Sequence, residues 1–69
     1  MTDTEELKKL IRKNGYTLEE LSCKIGLSKT SLSYKINNKI DFKTKEIKKI
    51  QNVLNLTDTQ RDYIFFRLE

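Results

Sequence analysis

Between Lys24 and Lys49 the chain carries eight lysines, Lys24, Lys29, Lys35, Lys39, Lys43, Lys45, Lys48 and Lys49, against only Asp41 and Glu46. That is a local +6 in about a third of the chain, whereas residues 1–23 and 50–69 each come to −1. A concentration of ammonium groups of this kind suits a polyanionic partner. Inside it, Thr30, Ser33, Tyr34 and Asn37 are spaced to share one face of a helix at 100° per residue, with Lys29 at its leading edge and Leu32 and Ile36 on the opposite side. None of these outward groups is acidic. Lysine can donate to guanine O6 or N7, a hydroxyl can bond either base type, and a threonine methyl or tyrosine ring can lie against a thymine methyl. Together they match what the edges of base pairs offer in a DNA major groove.

Other chemistries are excluded by what is missing. There is no histidine, and Cys23 is the only cysteine, so a zinc finger, a histidine general base and an intrachain disulfide are all ruled out. Cys23 lies between Leu21 and Ile25 without a resolving partner, and reads as a small packing or surface residue rather than a redox centre. A domain this short has little room for a sizeable cleft, so no catalysis, cofactor or small-molecule ligand is expected. No apolar run approaches the ~20 residues a membrane span needs, and Met1–Leu10 carries acids and lysines where a signal peptide would be apolar. A cytoplasmic location is therefore expected.

The elements that must hold these residues are helices. Sixty-nine residues make one domain, 1–69, because a second would leave neither half a core. With no proline and two glycines, the turn chemistry of an all-β fold is absent, and the abundant Leu, Ile, Lys and Glu favour helix. The expectation is a small all-α domain of five helices. Leu7, Leu10 and Ile11 repeat at helical spacing after a cap at Thr2 or Asp3, up to a left-handed end at Asn14-Gly15. Thr17-Leu18-Glu19-Glu20 is a capping box, predicting a short second helix from Leu18 that buries Leu18, Leu21 and Ile25 and stops at Gly26. Ser28 caps a third, to Ile36 or Asn37, with a turn at Asn37-Asn38. Ile47, Ile50, Val53 and Leu54 define a longer fourth helix from Lys43 or Thr44. Thr57-Asp58-Thr59-Gln60 is a second capping box, opening a fifth helix with Tyr63, Ile64 and Phe66.

The run Thr17-Leu18-Glu19-Glu20-Leu21-Ser22-Cys23-Lys24-Ile25-Gly26-Leu27-Ser28-Lys29-Thr30-Ser31-Leu32-Ser33 resembles the helix-turn-helix of the phage Cro/CI repressor family, also called Xre-like. Asn37-Asn38-Lys39, Phe42 and Glu46-Ile47-x-x-Ile50 are similar to small phage proteins of this type, so the likeness covers roughly residues 4–66. The departures are specific. Ser22 stands where the family often has alanine, and Leu18 and Glu19 occupy the turn where a phosphate-touching glutamine is common. The apolar pair Leu32 and Ile36 is spaced by four, leaving Lys35 where many relatives have an apolar residue.

The resemblance implies a lambda-repressor-like fold with the motif at about 17–37. It also implies a sequence-specific, double-stranded DNA-binding transcriptional repressor of phage or prophage origin in a bacterial host. Residues 28–37 would form the recognition helix, with Lys29, Thr30, Ser33, Tyr34 and Asn37 reading bases. Phosphate contacts belong on the flanks of that helix, because the backbones rise on either side of the groove. Thr17 with the first-turn amides of the second helix, and Asn38, Lys39, Lys43 and Lys45, are the candidates, joined by Lys35. One recognition helix covers too few base pairs to single out an operator, so a homodimer is expected, weak association confining it to the DNA-bound protein. The fifth helix is apolar nearly all round, and Tyr63, Phe65 and Phe66 are its candidate contacts. The alternative is a protein-interaction module, antitoxin-like or antirepressor-like, that uses the same fold without DNA; the local +6 favours DNA.

Overall fold

The computed structural model describes residues 1–66; the last three residues of the expected 1–69 domain lie outside the described ones. Five helices follow one another: α1 (Thr4–Lys13), α2 (Leu18–Ile25), α3 (Lys29–Ile36), α4 (Thr44–Leu54) and α5 (Asp58–Phe65). No strand occurs among the described residues, and no helix there is long and apolar enough to cross a membrane. The fold is all-α, as the residue pattern predicts.

Every helix start is closed by a local side chain. Asp3 accepts the Glu6 amide, Thr17 that of Glu20, Ser28 that of Ser31 and Thr57 that of Gln60. The two Thr caps are full boxes, with Glu20 and Gln60 returning a bond to the cap amide. α4 has no hydroxyl cap; the Glu46 carboxylate takes the Lys43 N–H instead, at 2.8 Å.

The ends of α1 to α4 share one closure. A residue at positive φ follows the last turn (Gly15, Gly26, Asn38 and Asn55), and the next amide reaches back five residues to a carbonyl. The bonds are Tyr16 to Ile11, Leu27 to Ser22, Lys39 to Tyr34 and Leu56 to Gln51, each 2.9–3.1 Å. This is the Schellman arrangement, which glycine enters without steric cost and asparagine tolerates better than most residues. Both glycines of the chain and two asparagines fill these positions; Asn55, unlike the other three sites, was not anticipated from the sequence.

The apolar faces of all five helices meet in one core. Leu7, Leu10, Ile11, Leu21, Ile25, Leu32, Ile36, Ile47, Ile50, Leu54, Leu56, Ile64 and Phe65 are buried. Leu18, expected inside, lies half-buried at its edge with Tyr16, Leu27, Phe42 and Val53. α3 packs on α2 and α1, and α4 on α2 and α5, so the proposed reading helix has the rest of the domain behind it. The N-terminal segment closes the structure. Asp3 N–H donates to the Ile64 carbonyl at 2.7 Å, and Thr4 Oγ1 donates to the carbonyl of Ile36, the last residue of α3.

Helix α5 corrects one expectation. Phe65 is not a surface ring available to a second copy: it is 5% exposed and meets Phe42 edge-on, with ring centroids 5.2 Å apart. An eight-residue helix must bury something, and Ile64 with Phe65 is what points inward. Tyr63 and Phe66 are each 52% exposed.

Gly26 offers a clean test of the helix-end closure. A Cβ there would meet nothing nearer than the Lys49 ammonium at 4.0 Å, so Gly26→Ala adds no clash and isolates the cost of a left-handed alanine. We expect a loss of about 1 kcal/mol, or a melting temperature lower by roughly 4–8 °C. Thermal unfolding followed by circular dichroism measures it; an unchanged midpoint would show that the turn relaxes out of the left-handed region.

Candidate nucleic-acid interface

The candidate site is built on α2, a short turn at Gly26-Leu27-Ser28, and α3. The turn is tight because Gly26 takes φ 76° while Ser28 is already extended and capping the next helix. α3 then divides cleanly. Leu32, Lys35 and Ile36 are buried, whereas Lys29, Thr30, Tyr34 and Asn37 are exposed and Ser33 partly so. Four of the candidate base-reading residues therefore share the outward side of α3, with Asn37 at its C-cap, and no acidic side chain belongs to α3.

Two of the five are tied down. Asn37 Nδ2 donates to the Ser33 carbonyl at 2.9 Å, engaging one of its two N–H donors. The Lys39 ammonium stands 5.8 Å from the centre of the Tyr34 ring, a cation–π distance that restrains both side chains. Lys29 and Thr30 project from the first turn, the end of a helix that reaches deepest when it enters a groove.

Three of the proposed phosphate contacts need revision. Lys35 does not project outward. Its ammonium lies 2.7 Å from each carboxylate oxygen of Glu46, and the two side chains are only 8% and 10% exposed. Position 35 is thus an inward one, and a lysine is admitted there because α4 supplies the opposite charge. Asn38 is also spent. Its Oδ1 accepts the Thr2 N–H at 2.8 Å, and its Nδ2 donates to the Thr2 carbonyl at 2.9 Å and weakly to Thr4 Oγ1, so it anchors the N-terminal segment. Thr17 is exposed, but its capping box closes two of the first-turn amides, those of Thr17 and Glu20, and places the Glu20 carboxylate at that helix end. What remains of the helix-terminus site is weak.

Lys39, Lys43 and Lys45 are all exposed. Lys39 follows α3, and Lys43 and Lys45 stand at the start of α4, which the Lys35–Glu46 pair ties to α3. Because that pair is internally neutral, its burial leaves the exposed surplus of the basic segment unchanged: Lys24, Lys29, Lys39, Lys43, Lys45, Lys48 and Lys49 against Asp41. Sequence reasoning missed Glu46 as a structural partner. Its signal was present as the only glutamate in the lysine-rich stretch, but a spacing of eleven residues across a turn has no local rule to expose it.

The ionisation of Glu46 is clearly displaced. Burial pushes its pKa up, but the hydrogen bond from Lys35, the Lys43 N–H and the charges of both lysines outweigh this and hold it below its ordinary value.

The fold and this surface define a small five-helix protein with a basic, acid-free outward helix face. Residues 3–67 match the model of a family described as "Protein of unknown function (DUF739)", and the chain belongs to that family. No curated protein matches it.

A lowered folded-state pKa means that ionised Glu46 stabilises the native protein above the unfolded value of 4.5, and that this contribution disappears as pH falls through the folded value. Glu46→Gln removes the contribution and leaves the Lys35 charge buried without a counter-ion. We expect the variant to melt lower than wild type at pH 7, with the gap narrowing as pH falls below about 4.5. Melting curves from pH 7 to pH 2.5 measure this; a constant gap would mean that Glu46 is not titrating as a paired carboxylate.

Proposed function

We propose that the protein is a sequence-specific binder of double-stranded DNA, acting as a non-catalytic transcriptional repressor with α3 in the major groove. One observation carries this reading. The exposed side of α3 and its C-cap present Lys29, Thr30, Ser33, Tyr34 and Asn37 with no acid among them, followed in the chain by the exposed Lys39, Lys43 and Lys45. Such a face has hydrogen-bonding groups for base edges at its centre and ammonium groups for phosphates at its margin. The resemblance of residues 17–33 to the Cro/CI (Xre-like) helix-turn-helix supports the same assignment and is the source of the repressor role. Base readout falls to Lys29, Thr30, Ser33, Tyr34 and Asn37, and phosphate contact to Lys39, Lys43 and Lys45, with Lys35, Asn38 and Thr17 withdrawn.

Two copies would act together on a pseudo-palindromic site. With Phe65 in the core, the aromatic groups left for a contact between copies are Tyr63 and Phe66, a small area that suits association on DNA rather than before it. Two-fold symmetry would place the half-sites about 34 Å apart, one turn of the duplex.

Selection of bound duplexes from a random pool supplies the probe. On the selected duplex, Thr30→Ala or Lys29→Ala should cost about 1–3 kcal/mol and little on random DNA. Lys39→Ala, Lys43→Ala or Lys45→Ala should weaken both alike, each lowering the salt slope by about 1 because one phosphate is no longer neutralised. Titrations at several salt concentrations decide it: no enriched motif and no salt dependence would reject the reading.

Stoichiometry tests the dimer. On full and half sites, wild type should bind the full site cooperatively as two copies, and Phe66→Ala should lose cooperativity while keeping its fold. Tight one-to-one binding to a half-site, unaffected by adding the second, would rule the dimer out.

A further inference from the structure

The buried arc of α3 is unusual in one respect. Leu32 and Ile36 are fully buried, but apolar contacts are non-directional, and a helix resting on them alone can roll. Beside them, Lys35 makes two 2.7 Å bonds to one carboxylate, and the same carboxylate accepts the Lys43 N–H at the start of α4. Both ends of this link are therefore fixed in direction as well as distance. It joins the helix bearing the candidate base-reading residues to the segment bearing Lys43 and Lys45. Replacing such a pair by apolar residues is often neutral or favourable for stability, because the desolvation of two charges offsets their attraction. Stability by itself therefore does not explain why a charged pair rather than an apolar one stands at this position.

We propose that the Lys35–Glu46 pair is a positioning device that sets the roll of α3 about its own axis relative to the start of α4, and through it DNA sequence discrimination. This rests on the DNA-binding function proposed above. The scale is sufficient. Side-chain tips lie roughly 6 Å from a helix axis, so a roll of about 20° moves them by roughly 2 Å, which takes a hydrogen bond out of its working range of about 2.7–3.2 Å. Phosphate contacts from flexible lysines tolerate such a shift; contacts to base edges do not. Lys35 and Glu46 thus act through Thr30, Ser33 and Tyr34 without touching DNA.

The test uses the double variant Lys35→Met/Glu46→Gln, in which the glutamine oxygen can still cap the Lys43 amide. Lys35→Arg serves as the conservative variant that keeps a two-bonded pair. Two readouts are taken, the first without DNA. Amide chemical shifts and inter-helix nuclear Overhauser contacts should change along residues 29–36 in the double variant, stay near wild type along α4 and α5, and be close to wild type throughout in Lys35→Arg. The second is the ratio of affinities for the duplex selected from a random pool and for a random duplex of equal length. It should fall at least tenfold in the double variant with the salt slope unchanged, and by less than threefold in Lys35→Arg.

A folded double variant whose α3 signals and affinity ratio both match wild type overturns the proposal. If the double variant does not fold, Glu46→Asp carries the same test, since it keeps both charges and withdraws the carboxylate by one methylene; wild-type α3 signals and ratio there overturn the proposal equally. Altered α3 signals with no preference for any duplex in wild type would leave the positioning role standing and reject the DNA-binding function instead.

Discussion

A helix of eight residues cannot hold itself together in water. Nucleation is costly, and isolated helices shorter than about 12–15 residues are marginal even for the best sequences. α2, α3 and α5 are each eight residues long, so about half of their amides and carbonyls belong to a first or last turn and lack partners within the helix. The rest of the structure depends on closing those ends. Asp3, Thr17, Ser28 and Thr57 do so at the starts, and Gly15, Gly26, Asn38 and Asn55 at the finishes. With the ends closed, each short helix needs only a few apolar residues on one face to stay docked.

The same economy shapes the proposed DNA face. α3 has two fully buried apolar residues, Leu32 and Ile36, and its remaining inward position holds a lysine. The helix is held by three attachments of different kinds: apolar packing on α2 and α1, the Lys35–Glu46 pair toward α4, and the hydrogen bonds of Thr2 and Thr4 to Asn38 and Ile36 at its C-terminal end. Side chains that a free surface would offer to a ligand are used to secure the scaffold. This is why Lys35 and Asn38 leave the set of phosphate contacts while Lys29, Thr30, Lys39, Lys43 and Lys45 stay on the surface.

The sequence by itself determined the helices, because caps and apolar periodicity act over three or four residues. Thr17 with Glu20 and Thr57 with Gln60 announce helix starts wherever they occur, and Gly26 permits the left-handed turn without regard to its neighbours. The outward face of α3 was legible for the same reason: 100° per residue places Thr30 and Tyr34 opposite Leu32 whatever the helix packs against. Asn55 escaped notice because asparagine at positive φ is only one of several conformations open to it. Tertiary structure alone decided which polar groups are spent. The Lys35–Glu46 pair spans 11 residues and the Asn38–Thr2 bonds span 36, and no periodicity links positions brought together by chain reversal. It also decided that Phe65 rather than Phe66 enters the core, since adjacent rings on one short helix compete for an interior whose free space, beside Phe42, exists only once α4 and α5 have met.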